Sequence, residues 1–110
     1  MRMWMVDPSK MCKNHLLGEH NELHKHLPRW LKKSSITGYI RSNAIEPMAY
    51  LARHEELALE MLMRGYKHKS PLISPNWLYL SKKHLNFKVD IKKSEKMLKD
   101  RCKICSKNYC

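Results

Sequence analysis

Four residues near the start of the chain have types and spacing that suit chemistry: His15, Glu19, Glu22 and His26. They are separated by four, three and four positions. At about 100° per residue they form one narrow stripe on one face of a helix. Imidazoles and carboxylates are the usual movers of protons near neutral pH. The α-amine of Met1 lies only a few residues upstream of that helix. As a class, α-amines are weaker bases than lysine amines by about two pH units, so more of the free base is present at neutral pH. An amine, a histidine and two carboxylates converging on one groove would suit attack by nitrogen on a sugar carbon. A solvated helix face carrying His–Glu pairs at i, i+4 has the same spacing. The groove reading is favoured because the stripe adjoins the apolar stripe Cys12, Leu16, Leu23, Leu27 and Trp30 instead of opposing it.

The elements that must position these groups follow from local signals. Residues 1–6 read as a short extended lead. Asp7 is a good N-cap and Pro8 a good first helical residue, so the first helix starts there. Pro28 is expected to end or kink it. Residues 32–46 read as a basic connector with a short turn. Pro47 can open a second helix that runs to Arg64, with Gly65 at C′. Met48, Tyr50, Leu51, Leu57, Ala58, Leu59, Met61, Leu62 and Met63 surround that helix, which predicts a central, largely buried one. Residues 65–76 read as a basic loop, and Trp77 to Leu85 as a short helix. Asp90 can cap a last helix with Ile91, Ser94, Leu98, Cys102 and Cys105 on its inner face. The expectation is an all-α fold: a compact single domain over 1–110 with three main helices.

Lys and Arg total 22 against 10 Asp and Glu, a formal net charge of +12. Such a balance favours a polyanionic partner, nucleic acid ahead of an anionic membrane. No stretch approaches the roughly 20 apolar residues of a membrane span. The N-terminus has neither the apolar core nor the cleavage site of a secretory signal, so an intracellular protein is expected. Trp4, Trp30, Trp77 and the eight methionines read mainly as core residues.

Metal sites are the rival reading. His15 with Glu19, or His20 with His24, have i, i+4 ligand spacing, but no strong third and fourth ligands stand out. Cys102-x-x-Cys105 with Cys110 could hold zinc if Cys12 or a histidine completed the set. The favoured reading is burial of Cys12, Cys102 and Cys105 as small apolar side chains, with no metal and no cofactor.

Two segments resemble the pyrimidine dimer DNA glycosylases of the endonuclease V type. The first is Met1–Lys25, with Arg2 and His15-Leu16-x-x-Glu19-x-x-Glu22-Leu23. The second is Tyr50-Leu51-x-Arg53-His54-x-x-Leu57, continuing to Met61-x-x-Arg64-Gly65-Tyr66. Residues 71–110 match poorly. The resemblance implies an all-α fold with the N-terminal segment threaded between helices. It implies that the Met1 α-amine is the nucleophile, Glu22 the catalytic carboxylate and His15 the active-site histidine. It also implies that Arg2 and Lys25 hold phosphates. Asn21 stands where the family pattern has arginine and is counted with the DNA-binding positions, as are the loop residues Lys67 and Lys69.

The function expected is DNA repair: a pyrimidine dimer glycosylase with abasic-site lyase activity through an imine. The partner is double-stranded damaged DNA, and the protein is expected to be a monomer. The alternatives are a lyase or glycosylase for another lesion, or a basic DNA-binding protein without chemistry. Binding without a covalent adduct would mark the last.

Overall fold

The computed structural model describes residues 1–68 and 71–108. Among the described residues all regular structure is helical. The α-helices are α1 (Lys13–Leu31), α2 (Thr37–Arg41), α3 (Tyr50–Met63), α4 (Lys82–Leu85), α5 (Ile91–Arg101) and α6 (Lys103–Asn108). Single 3₁₀ turns at Pro8–Lys10, Pro47–Ala49 and Trp77–Tyr79 introduce other segments. The three long helices α1, α3 and α5 are those the sequence predicts.

Capping explains most boundaries. The Asp7 side chain accepts from Ser9 N at 3.0 Å, but the turn it caps is 3₁₀, and α1 starts only at Lys13. Pro28 does not end α1, which continues to Leu31. Only one turn follows the proline, and burial of Trp30 holds that turn in place. Gly65 has φ +86°, the left-handed cap conformation expected of it after α3. The Asp90 side chain accepts from Lys93 N and caps α5. Asn43 fixes where α5 begins: its side chain exchanges two hydrogen bonds with the Asp90 backbone, at 2.7 and 3.1 Å. The last helix is not continuous. Cys102 adopts φ −133°, ψ 114°, which breaks it into α5 and α6.

The helix α3 departs from expectation. Leu51, Leu59, Leu62 and Met63 are exposed, while Arg53 and His54 are buried. Its buried face is Tyr50, Arg53, His54, Leu57, Ala58 and Met61, a helical stripe with two polar members. Only one face therefore packs on the core, which gathers Met3, Leu16, Leu23, Trp30, Ile45, Tyr50, Leu57 and Leu98. The Tyr50 hydroxyl donates to Leu23 O at 2.5 Å, tying α3 to α1. Burial pushes the Tyr50 phenol up, so it stays a neutral donor.

The lead is threaded into this core, as the resemblance implies. Met3, Trp4 and Val6 are buried, and Met3 N donates to Ala44 O at 2.7 Å. Arg53, itself buried, clamps the lead from below. Its Nε and Nη2 donate to Glu19 at 2.5 and 2.9 Å, and its Nη1 donates to Val6 O at 2.8 Å. Arg64 holds the turn that follows, donating to Pro8 O at 3.0 Å and Met11 O at 2.7 Å. Between Trp4 and Val6, Met5 adopts φ 59°, a strained conformation for a non-glycine residue.

Candidate active site

Threading carries the lead over one face of α1, which sets the site. A cleft of about 400 Å³ opens there. Its walls include Met1, Arg2 and Trp4 from the lead, Asn14, His15, Gly18, Glu19 and Glu22 from α1, and Arg101 from the end of α5. Within it the Met1 amine lies 3.3 Å from Glu22 Oε2, and Arg2 N donates to the same oxygen at 2.9 Å. One half-buried carboxylate thus receives the first two nitrogens of the chain, which orients the amine and leaves it at the cleft wall.

The stripe divides by depth. Glu19 is buried and turns down to Arg53. Burial pushes its carboxyl up, while the two hydrogen bonds from Arg53 pull it back down, and the Trp4 backbone N–H adds another donor. Glu19 is therefore the support of the lead. Glu22 is left as the carboxylate open to the cleft. His15 is half-buried, stacks its edge on Trp4 with ring centroids 5.9 Å apart, and places Nδ1 3.1 Å from Cys12 Sγ. Burial lowers its basicity, so it is a neutral imidazole at neutral pH. His26 is also lowered by burial, then by the nearby terminal amine and Arg29.

Two arginines, Arg2 and Arg101, line the cleft. The Arg2 guanidinium donates to Ser42 O at 2.9 Å and lies 5.3 Å over the Trp4 ring. Its pKa is lowered, first by burial and then by the charge of Arg101, against a raising contribution from Glu22. Two cations held together beside a pocket favour an anion between them.

The structure brings together Met1, Arg2, His15, Glu19 and Glu22 among the residues singled out from sequence, and His26 is not among the cleft walls. Asn21 and Lys25 are exposed on α1 outside the cleft walls. Lys67 is exposed on the loop after α3, and Lys69 lies outside the described residues. Sequence reasoning missed Arg101 and Asn14, while Trp4, read as a core residue, is buried and also forms a wall of the cleft. Asn14 was within reach, since it neighbours the stripe on α1. Arg101 carried no local signal, because only the docking of α5 brings it there.

No curated protein and no solved structure matches the chain. A family model described as pyrimidine dimer DNA glycosylase matches residues 1–74. That span contains the lead, all of α1 and α3, and every cleft residue except Arg101. The Met1 amine, Glu22 and Arg2 thus fall in the matched segment, which covers more than half of the sequence, and the chain belongs to the pyrimidine dimer DNA glycosylase family.

Proposed function

We propose that this DNA glycosylase excises pyrimidine dimers and cleaves the resulting abasic site as a lyase, with the Met1 amine as nucleophile. The observation that carries the reading is the approach of that amine to Glu22 Oε2, 3.3 Å, at the wall of an arginine-flanked cleft. The free amine attacks C1′ of the deoxyribose. The glycosidic C–N bond breaks, the base leaves with the bonding pair and takes up a proton, and loss of an amine proton leaves a secondary amine on C1′; the C1′–O4′ bond then breaks, O4′ takes up a proton, and the nitrogen lone pair closes the imine. The Glu22 carboxylate stabilises positive charge at the sugar as it develops. A base then removes the C2′ proton, and the C3′–O bond breaks as phosphate leaves. Glu22 is the nearest candidate for that base. His15 would have to use its other ring nitrogen, because Nδ1 faces Cys12.

Borohydride reduction tests this directly. Incubation with abasic or ultraviolet-irradiated duplex should give a covalent adduct whose peptide map ends at Met1. Acetylation of the terminus should abolish it, since an amide nitrogen is no longer basic. An adduct on an internal lysine would sink the Met1 assignment. Tight binding with no adduct would mark a DNA-binding protein without chemistry.

Binding should respond steeply to salt. Contacts from Arg2, Arg101, Lys25 and Lys67 to one phosphate each would lower log K by about 3.6 per tenfold rise in salt, at ~0.9 per phosphate. Lys25→Ala should reduce that slope by about one. It should also weaken damaged and undamaged duplexes by equal factors, because a phosphate contact carries no base information. A slope near zero in fluorescence titrations would remove the groove from the reading.

A further inference from the structure

Two clusters of metal-ligand side chains lie outside the proposed chemistry. The first joins the two ends of the chain. Cys12 stands immediately before α1, Cys102 at the break between α5 and α6, and Cys105 on α6. With His15 they place one ligand atom each within 4.8 Å of one another. Zinc–sulfur bonds of about 2.3 Å and zinc–nitrogen bonds of about 2.0 Å make tetrahedral edges of about 3.8 Å between sulfurs and about 3.5 Å from sulfur to nitrogen. The measured separations are 3.8 Å for Cys12 Sγ to Cys102 Sγ and 3.6 Å for Cys105 Sγ to His15 Nδ1, with 3.1 Å for Cys12 Sγ to His15 Nδ1.

Backbone donors face two of the sulfurs. Backbone N–H groups of Cys12 and Cys105 point at Cys105 Sγ and Cys102 Sγ, each at 3.5 Å. Cys12 is also the N-cap of α1 and makes no side-chain capping bond. A thiolate there meets the positive end of a helix of 19 residues. Three thiolates around a divalent ion carry a net negative charge, which a chain of charge +12 accommodates.

The second cluster is made of imidazoles alone. His20 and His24 share one face of α1, His54 comes from α3, and His68 from the loop after it. Their ligand nitrogens also lie within 4.8 Å of one another. His54 Nε2 is 3.1 Å from His20 Nε2 and 2.9 Å from His24 Nε2. Its Nδ1 is 3.0 Å from Glu55 Oε1. A carboxylate there fixes the proton on Nδ1, which leaves one lone pair on Nε2 facing two nitrogens. One lone pair cannot satisfy both, whereas one cation can. The carboxylate–histidine pair is also the usual outer support of a metal-bound imidazole. His68 Nε2 is buried with no hydrogen-bond partner.

We propose that the chain binds two metal ions: zinc held by Cys12, His15, Cys102 and Cys105, and a late first-row divalent ion held by His20, His24, His54 and His68. The soft, sulfur-rich set selects zinc, and imidazoles suit zinc and its neighbours. The zinc site fastens α5 and α6 onto α1 beside the cleft. It places Arg101 next to a metal ligand in sequence and fixes His15 as a wall of the site. The imidazole site fastens α3 and the following loop to α1.

Metal analysis of the full chain, purified without chelators, tests both sites. The expected result is about two ions per chain, with cobalt(II) substitution giving thiolate-to-cobalt charge-transfer bands. Cys102→Ala with Cys105→Ala should lose one ion and those bands. His24→Gln with His68→Gln, at the two less buried imidazoles, should lose the other ion and keep the bands. Chelator treatment of the unaltered protein should lower its melting temperature, a readout that does not depend on any variant folding. Metal-free protein with titratable thiols or a Cys12–Cys102 disulfide would overturn the zinc site. Unchanged metal content in the histidine variant would overturn the imidazole site. Borohydride trapping reports separately on the glycosylase reading.

Discussion

Replacing Glu22 by glutamine is expected to slow turnover on damaged DNA by about 10²–10⁴-fold, the range for loss of a positioned acid or base. The glutamine oxygen can still accept from Arg2 N, so the lead should stay docked and the melting temperature unchanged. What disappears is the negative charge at the point where amine and sugar meet. Affinity should stay equal or rise, because a carboxylate beside Arg2 and Arg101 opposes phosphate. Single-turnover rates with matched binding curves separate these effects. Parallel losses in binding, turnover and melting temperature would make Glu22 a structural residue.

The largest effect on stability is expected below the cleft. Arg53→Met leaves the Glu19 carboxylate buried without its partner and removes the donor to Val6 O. Breaking a buried pair in this way costs about 3–5 kcal/mol. A domain of this size has only about 5–15 kcal/mol to lose. At roughly 4–8 °C per kcal/mol, the melting temperature should fall by more than 10 °C. Joining Glu19→Leu to Arg53→Met removes both charges and should recover much of the loss. Thermal melts of the two single variants and the double variant form the cycle. A fall of only a few degrees in Arg53→Met would show that water reaches the carboxylate.

The parts of this structure legible in sequence are those set by local chemistry. Gly65 and Asp90 mark their boundaries because caps act within a few residues, whereas Asp7 and Pro47 introduce 3₁₀ turns and the helices expected there start later, at Lys13 and Tyr50. The His15–Glu22 stripe was legible because helical periodicity alone decides which side chains share a face. The division of labour within it was not. Glu19 is a support only because Arg53 comes up from α3, which position in sequence does not reveal.

The burial of α3 was misread for a related reason. Its apolar content suggested burial all round, yet Arg53 and His54 lie on the inner face and Leu59 and Leu62 on the outer. Those polar residues are inside because each has a partner on α1. The four-histidine cluster was half visible, as His20 and His24 on one helix. The other two histidines come from elements 30 and more positions away in sequence. The cysteines were expected to pack as small apolar groups, and Cys12 and Cys105 are indeed buried. Their closeness to Cys102 and His15 depends on the docking of the tail.

The cleft between the lead and α5 also has a consequence in time. Met1 to Trp4 are made before α1 and α3, and Arg101 only after both. The lead cannot settle until α1 and α3 supply Glu19, Glu22 and Arg53 to receive it. Order of synthesis and order of docking therefore differ for the lead. The cleft therefore has no partial form: its walls exist only once segments made far apart in time have come together.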